Sequence, residues 1–165
     1  MQFHLGDRVF HPIHGVGQIE TIEKKKILSD APRLYYQVRM QKSTIWVPVD
    51  AQQKVGLRLL THKRDLEHFR AILKSRPASL TNNHSKRHLE IANRLNEGSL
   101  EMMCQAVRDL AGRAWKQSLS SADTASLRKA RDRLYQEWAA AEGVSVEKAM
   151  EEVEALLAQA HKSFR

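Results

Sequence analysis

Residues 34–49 read LYYQVRMQKSTIWVPV, and they indicate two strands joined by a short turn. Tyr36, Val38 and Met40 alternate with polar residues, which is typical of a strand that buries one face. The second run, from Thr44 to Val49, is rich in β-branched residues and follows a brief polar stretch. Because the two runs lie so close in sequence, we predict that they pair in an antiparallel sheet.

Two earlier runs, residues 9–10 and 16–22, are also built from β-branched and aromatic residues. Turn-forming residues punctuate the runs at positions 12–15 and 30–32. A few short antiparallel strands bury their ends best by curling into a barrel. We therefore predict a small antiparallel β-barrel over residues 1–62.

From residue 63 onward the apolar residues recur at helical spacing, which predicts five short amphipathic helices. The second of them is predicted to bury Leu89, Ala92 and Leu95. The predicted boundaries are helix ends before Pro77, at Gly98 and near Gly143, and N-caps at Ser99, Ser120 and Ser145. Short connections favour a bundle. The chain is thus predicted to be an α+β protein with an all-α bundle over residues 63–165.

The charge of the chain is strongly positive, because 27 Lys and Arg residues outnumber 19 Asp and Glu residues and give a net charge of +8. An excess of this size favours a polyanionic partner. Residues 63–94 and 108–133 are basic, whereas residues 134–161 are acidic, so the bundle is predicted to have one basic side. Solvated helix faces would give the same pattern, and both interpretations stay open at this point.

The single cysteine, Cys104, excludes a disulfide framework and a cysteine-rich zinc site, and it suits a reducing compartment. Its position beside Met103 on a helical stripe predicts a buried thiol and not a nucleophile. The N-terminus lacks the pattern of a signal peptide, and no apolar stretch approaches the roughly 20 residues that span a bilayer. We therefore expect a cytoplasmic protein without membrane contact.

The residues that could carry chemistry do not form a recognisable reactive centre. His84 and His88 have the i, i+4 spacing of two metal ligands, but no third ligand is recognisable. His11 and His14 flank Pro12 and are expected to pack or hydrogen-bond in a turn. Neither a Gly-rich phosphate loop nor a Ser-His-Asp arrangement is present. The sequence therefore predicts no metal, no cofactor and no enzymatic activity.

Trp46 has two possible orientations. It faces outward beside Arg39 if its neighbours Ile45 and Val47 face the core. An exposed tryptophan among cations suits a hot spot of a protein interface. The opposite orientation, with Trp46 inside the barrel, is equally compatible with the sequence.

Short motifs along nearly the whole chain resemble those of CarD-like bacterial transcription regulators, whose N-terminal domain type also occurs in the transcription-repair coupling factor. In the first part of the chain they are GDRVFHP (6–12), HGVG (14–17), VPV (47–49) and VGLR (55–58). In the second part they are NHSKR (83–87), VRDL (107–110), LS (119–120) and KAR (129–131). No single motif is diagnostic, but their joint order and spacing make the resemblance specific.

The resemblance implies that the first domain is a Tudor-like barrel that docks on the β subunit of RNA polymerase. In the family this contact uses an exposed strand edge and basic side chains. The residues expected to take part are Lys25, Arg39, Trp46 and Pro48. Trp46 stands where some relatives have an arginine, so this contact would here be apolar or stacking.

The resemblance also implies that the helical domain contacts promoter DNA at the upstream edge of the transcription bubble. The expected contacts are His84, Ser85, Lys86 and Arg87. Relatives have a wedge tryptophan where this chain has His84, and imidazole offers far less stacking surface than indole. The expected function is that of a monomeric, non-enzymatic regulator that stabilises or tunes the open complex and joins the nucleoid through the polymerase.

Two other functions remain compatible with the sequence. A polymerase-docked adaptor would use the bundle to bind another protein, with little direct DNA contact. Stand-alone binding of nucleic acid would explain the positive charge but not the motifs of the first domain. Salt dependence distinguishes these functions, since it reports how many phosphates the protein contacts.

Overall fold

The strands of the first unit form one antiparallel sheet in the order β4-β3-β2-β1-β5 in a computed structural model that describes residues 2–27 and 31–165. The unit comprises Met1–Leu60. Its strands are β1 (Arg8–His11), β2 (Gly15–Lys25), β3 (Arg33–Met40), β4 (Thr44–Pro48) and β5 (Arg58–Leu59). A 3-10 turn (Val49–Ala51) and the short helix α1 (Gln52–Val55) connect β4 to β5. Asp30, part of one predicted turn, lies outside the described residues.

The antiparallel sheet is confirmed, but the closed barrel is not formed. β4 and β5 lie at opposite edges of the sheet, and no pairing between them is present in residues 2–27 and 31–60. Closure requires staggered strands that pair on both sides. β5 is only two residues long, and both residues pair with β1, Leu59 opposite Val9 and Arg58 opposite Phe10. The other side of β5 does not pair with β4, so in the described part of the unit the sheet stays open.

The alternation in β3 places Tyr36, Val38 and Met40 in the core, as predicted. The core is completed by Phe3, Val9, Ile19, Val47 and Leu57. Tyr36 is also anchored through its hydroxyl, which donates a hydrogen bond to Gln52 Oε1 at 2.8 Å and accepts one from the Phe3 backbone N–H at 3.1 Å. Apolar packing and one satisfied buried hydroxyl therefore fix which face of β3 points inward.

The second unit, Thr61–Arg165, contains five α-helices in the part that follows a 3-10 turn at Lys63–Asp65. They are α2 (Leu66–Lys74), α3 (His84–Glu97), α4 (Leu100–Lys116), α5 (Ser121–Glu142) and α6 (Val146–Ser163). The predicted caps are confirmed, since the side chains of Ser99, Ser120 and Ser145 each accept a hydrogen bond from the backbone N–H three residues later. None of the helices in the described residues combines the length and hydropathy of a membrane-spanning segment.

The predicted inner face of α3 is wrong at Leu89, whereas the other two predicted positions, Ala92 and Leu95, are half-buried. Leu89 is 61% exposed, whereas Ile91 is fully buried and Arg87 occupies the inner position one turn earlier. Arg87 lies inward, where it forms an ion pair with Asp123 on α5, and Leu89, two positions later on the helix, therefore lies on the opposite side. The hydrophobic pattern alone does not reveal a buried arginine at a core position.

Asp109 of α4 is a buried carboxylate that ties the linker between α2 and α3 to the bundle. It accepts hydrogen bonds from Arg94 Nη1 at 2.7 Å, from Arg108 Nε at 2.8 Å and from the Ala78 backbone N–H at 2.9 Å. Arg108 also donates to Ser75 Oγ at 2.9 Å. Because the buried charge has three charged or backbone donors, it holds the linker in place.

Candidate functional site

Four residues predicted from the sequence lie on one face of the sheet. On β4, Ile45 and Val47 pack on the core, so Trp46 and Pro48 point to the other side. On β3, Arg39 alternates with the buried Val38 and therefore also points away from the core. The Lys25 ammonium at the end of β2 lies over the Trp46 ring. We call Lys25, Arg39, Trp46 and Pro48 the outer sheet face.

Trp46 is half-buried and held by a cation–π contact. Lys25 Nζ lies 3.6 Å from the centroid of the Trp46 ring, and Glu23 Oε1 lies 3.7 Å from the same Nζ. Trp46 sits opposite Gln37 in the sheet register. The orientation inside a barrel is thus excluded, and the indole offers apolar surface next to a positive charge, a combination common at interface hot spots.

β4 provides an edge for backbone pairing. It pairs with β3 on one side, and no strand pairs with its other side in the described part of the unit. Arg39 flanks this edge strand with a side chain that is 60% exposed, and its Nη1 lies 3.2 Å from Glu20 Oε1. An edge strand beside an aromatic and two cations offers main-chain hydrogen bonds together with side chains that set register.

The start of α3 presents three of the four residues predicted to contact DNA. His84, Ser85 and Lys86 are exposed, and the Asn83 side chain caps the helix by accepting the Lys86 backbone N–H at 2.9 Å. The cap fixes the backbone and leaves the Lys86 ammonium in solvent. These side chains are therefore available to a phosphate backbone.

Arg87 has a different environment from its neighbours. It is only 4% exposed, and its Nε donates to Asp123 Oδ2 at 2.7 Å while its Nη1 donates to the Thr81 carbonyl at 3.0 Å. A guanidinium with these partners is not presented to a ligand. The geometry argues against Arg87 as a phosphate contact and assigns it the role of holding the starts of α3 and α5 together.

The sequence did not single out two further cations, Arg128 and Lys129, as contacts. Both are exposed on α5, about one and a half turns beyond Asp123. In the sequence they lie between the buried Leu127 and Ala130. The signal available in the sequence was the basic stretch 128–133, but it does not show that the start of α5 lies against the start of α3, as the Arg87–Asp123 pair does. We call His84, Ser85, Lys86, Arg128 and Lys129 the α3–α5 basic surface.

The residues considered for chemistry in the sequence, His84, His88, Cys104 and His11, form no metal-binding cluster in the described residues. No group of three potential metal ligands is present there, and His84 and His88 are both exposed. Burial raises the pKa of the Cys104 thiol, so this thiol stays protonated and is a poor nucleophile. His11 Nδ1 accepts the backbone N–H groups of Ile13 and His14 at 3.0 and 3.2 Å, which is the predicted turn role.

Both units match models of known protein families. The family model described as "CarD-like/TRCF RID domain" matches residues 3–60, and the model "CarD, C-terminal domain" matches residues 69–154. The chain is also similar to a protein of Bacillus subtilis (strain 168) named "Putative transcription factor YdeB". The two are 26% identical over 145 residues, which is 87% of this chain and 94% of that protein.

Proposed function

Because the chain belongs to the CarD-like family of transcription regulators, we propose that it docks on the β subunit of RNA polymerase and tunes the promoter open complex without catalysis. In this proposal the outer sheet face and the edge of β4 bind the polymerase, and the α3–α5 basic surface contacts promoter DNA at the upstream edge of the bubble. The observation that carries it is the convergence of Lys25, Arg39, Trp46 and Pro48 on one face beside an open strand edge.

The physical basis of docking is backbone pairing assisted by a rigid aromatic. Pairing at an edge strand supplies main-chain hydrogen bonds. Trp46 supplies apolar area at low entropic cost, because Lys25 already restrains the ring. Arg39 at the exposed rim would steer association more than it adds affinity.

The physical basis of DNA contact is electrostatic. Lys86, Arg128 and Lys129 are exposed, and phosphate neutralisation by such side chains releases counterions without reading sequence. His84 lacks the area to compensate an unstacked base step as indole does. In this proposal the protein therefore tunes the open complex mainly through phosphate contacts, and His84 acts only as a weak wedge at the fork.

The salt dependence of DNA binding tests the contact. Lys86→Ala should reduce the slope of log affinity against log salt for the polymerase–promoter complex by about 0.9, the value for one lost contact with duplex phosphate. Lys148→Ala is the matched control, since Lys148 is an exposed helical lysine on the acidic α6 and should leave the slope unchanged. An unchanged slope in Lys86→Ala would instead favour the adaptor function.

Introducing an indole at position 84 should strengthen the wedge. His84→Trp should lengthen the lifetime of the open complex by about fivefold or more, because stacking on one base contributes about 1–3 kcal/mol. The decay of open complexes after addition of a competitor measures this lifetime. His88→Trp, one turn further along α3, controls for added apolar surface, since His88 is also exposed. A lifetime equal to that of the parent protein would show that α3 does not approach the fork.

One observation favours the adaptor as a second candidate function. Val146 and Met150, one turn apart on α6, are 45% and 42% exposed beside the exposed Glu147 and Glu151. An apolar pair framed by carboxylates suits a basic amphipathic partner segment. In this alternative the bundle binds another protein and contacts DNA little.

A further inference from the structure

A cleft in the second unit lies outside both surfaces described above. It has a volume of about 270 Å³ and is lined by the linker that follows α2, by the C-terminal end of α4 and by Phe164. Its charged lining residues are Arg76, Arg113 and Lys116. Its shape and its chemistry both point to a ligand.

The wall of the cleft is fixed by close packing of the linker on α4. Gly112 lies under Pro77, and a Cβ at Gly112 would stand 2.4 Å from Pro77 Cβ, closer than atoms approach without displacement. The next residue, Ala78, is held through its backbone N–H by Asp109 Oδ1 at 2.9 Å. The cleft is therefore preorganised and needs little ordering to accept a ligand.

The charged residues of the lining are all basic. The lining contains three basic residues and no acidic one, and none of the three forms an ion pair with a carboxylate in the described part of the chain. Within the described ranges 2–27 and 31–165, the side-chain oxygens that accept hydrogen bonds from the Arg113 guanidinium are neutral amides, Asn82 Oδ1 at 3.3 Å and Gln117 Oε1 at 3.5 Å. These cations are therefore available to an anion, and a guanidinium with neutral neighbours favours a phosphate.

Aromatic rings stand beside the cations. Trp115 is half-buried and stacks on His161, with ring centroids 4.4 Å apart and planes inclined by 11°. The Arg76 guanidinium lies 4.8 Å from the centroid of the Phe164 ring. Rings next to phosphate-binding cations are the combination with which proteins hold single nucleotides, because every base has a face that stacks.

We propose that this cleft binds one nucleoside phosphate, with the phosphate on Arg113 and Lys116 and the base against the aromatic residues. The volume lies just below the range typical of small-molecule sites, so the cleft suits a ligand no larger than one nucleotide and excludes a duplex. Asn82 of the lining directly precedes Asn83, the cap of α3, so the cleft adjoins the α3–α5 basic surface. A nucleotide of single-stranded DNA is thus the favoured source, and this choice of source rests on the proposed function.

The test titrates the full chain with a short oligothymidylate, with thymidine monophosphate and with inorganic phosphate, and follows backbone and indole N–H signals by NMR. The indole signal of Trp115, identified with Trp115→Phe, should shift with the oligonucleotide. Arg113→Gln and Lys116→Gln should each weaken oligonucleotide binding about tenfold, as expected for one lost charged hydrogen bond. Lys148→Ala should bind like the parent protein, and circular dichroism verifies that each variant is folded.

Each outcome has a defined meaning. Gly112→Ala, which keeps every charge but displaces Pro77, should weaken binding in the same way as the charge variants. Shifts at Trp115 with the mononucleotide alone would keep the site and overturn DNA as its source. No shift at Trp115, or full affinity in both charge variants, would overturn the site itself. Lys86→Ala tests the proposed function separately, because it should leave binding of the mononucleotide unchanged.

Discussion

Replacing Arg87 by alanine should lower the free energy of unfolding by about 3–5 kcal/mol, because it leaves a buried carboxylate without its partner. The side chains of Arg87 and Asp123 are 5% and 2% exposed, and the Nε–Oδ2 distance is 2.7 Å. The same substitution removes the hydrogen bond to the Thr81 carbonyl at 3.0 Å. Urea denaturation of the full chain, followed by circular dichroism, measures the loss.

The adjacent residue provides the control. Lys86 is exposed on the same helical turn, so Lys86→Ala should change the free energy of unfolding by less than about 0.5 kcal/mol. Arg87→Ala/Asp123→Ala should lose less stability than the sum of its single variants, because it removes both buried charges. Additive losses would mean that the pair carries no coupling energy and that Arg87 stabilises the bundle by other contacts.

Lys86 and Arg87 also show where prediction from the sequence ends. Both are cations at the start of one helix, and the motif they share does not distinguish them. The partner that buries Arg87 lies 36 positions further along the chain, so its role appears only when α3 and α5 are packed. With Arg87 on the inner side of α3, Leu89 lies at the surface, although the helical period predicts it in the core.

Local chemistry explains the parts of the fold that were predicted correctly. The serine caps of α4, α5 and α6 satisfy backbone N–H groups within three residues, so the sequence contains all of the information needed. The alternation of β3 is equally local. Closure of the sheet is not local, because it requires β4 and β5, which lie at opposite edges of the sheet, to pair with each other. The cleft is not local either, since it requires Pro77 to lie on Gly112.

The orientation of Trp46 is likewise not determined by the local sequence, and the proposed docking on the polymerase depends on it. Trp46→Ala should weaken binding to the isolated polymerase β subunit by about thirtyfold, since truncation of an interface hot spot costs about 2 kcal/mol or more. The loss combines the apolar area of the indole with the anchor of the Lys25 ammonium, 3.6 Å from the ring centroid. Surface plasmon resonance with the full chain immobilised measures affinity and both rate constants.

The rate constants separate the proposed docking from a general loss of charge or stability. Trp46→Ala should act mainly on dissociation, whereas Arg39→Ala, at the 60% exposed rim, should slow association and reduce its salt dependence. Lys148→Ala, on α6 of the other unit, should alter neither rate. Because Trp46 lies outside the core that contains Val47 and Tyr36, its removal should leave the sheet folded. Undiminished affinity of a folded Trp46→Ala variant would mean that the polymerase binds a different face of this unit.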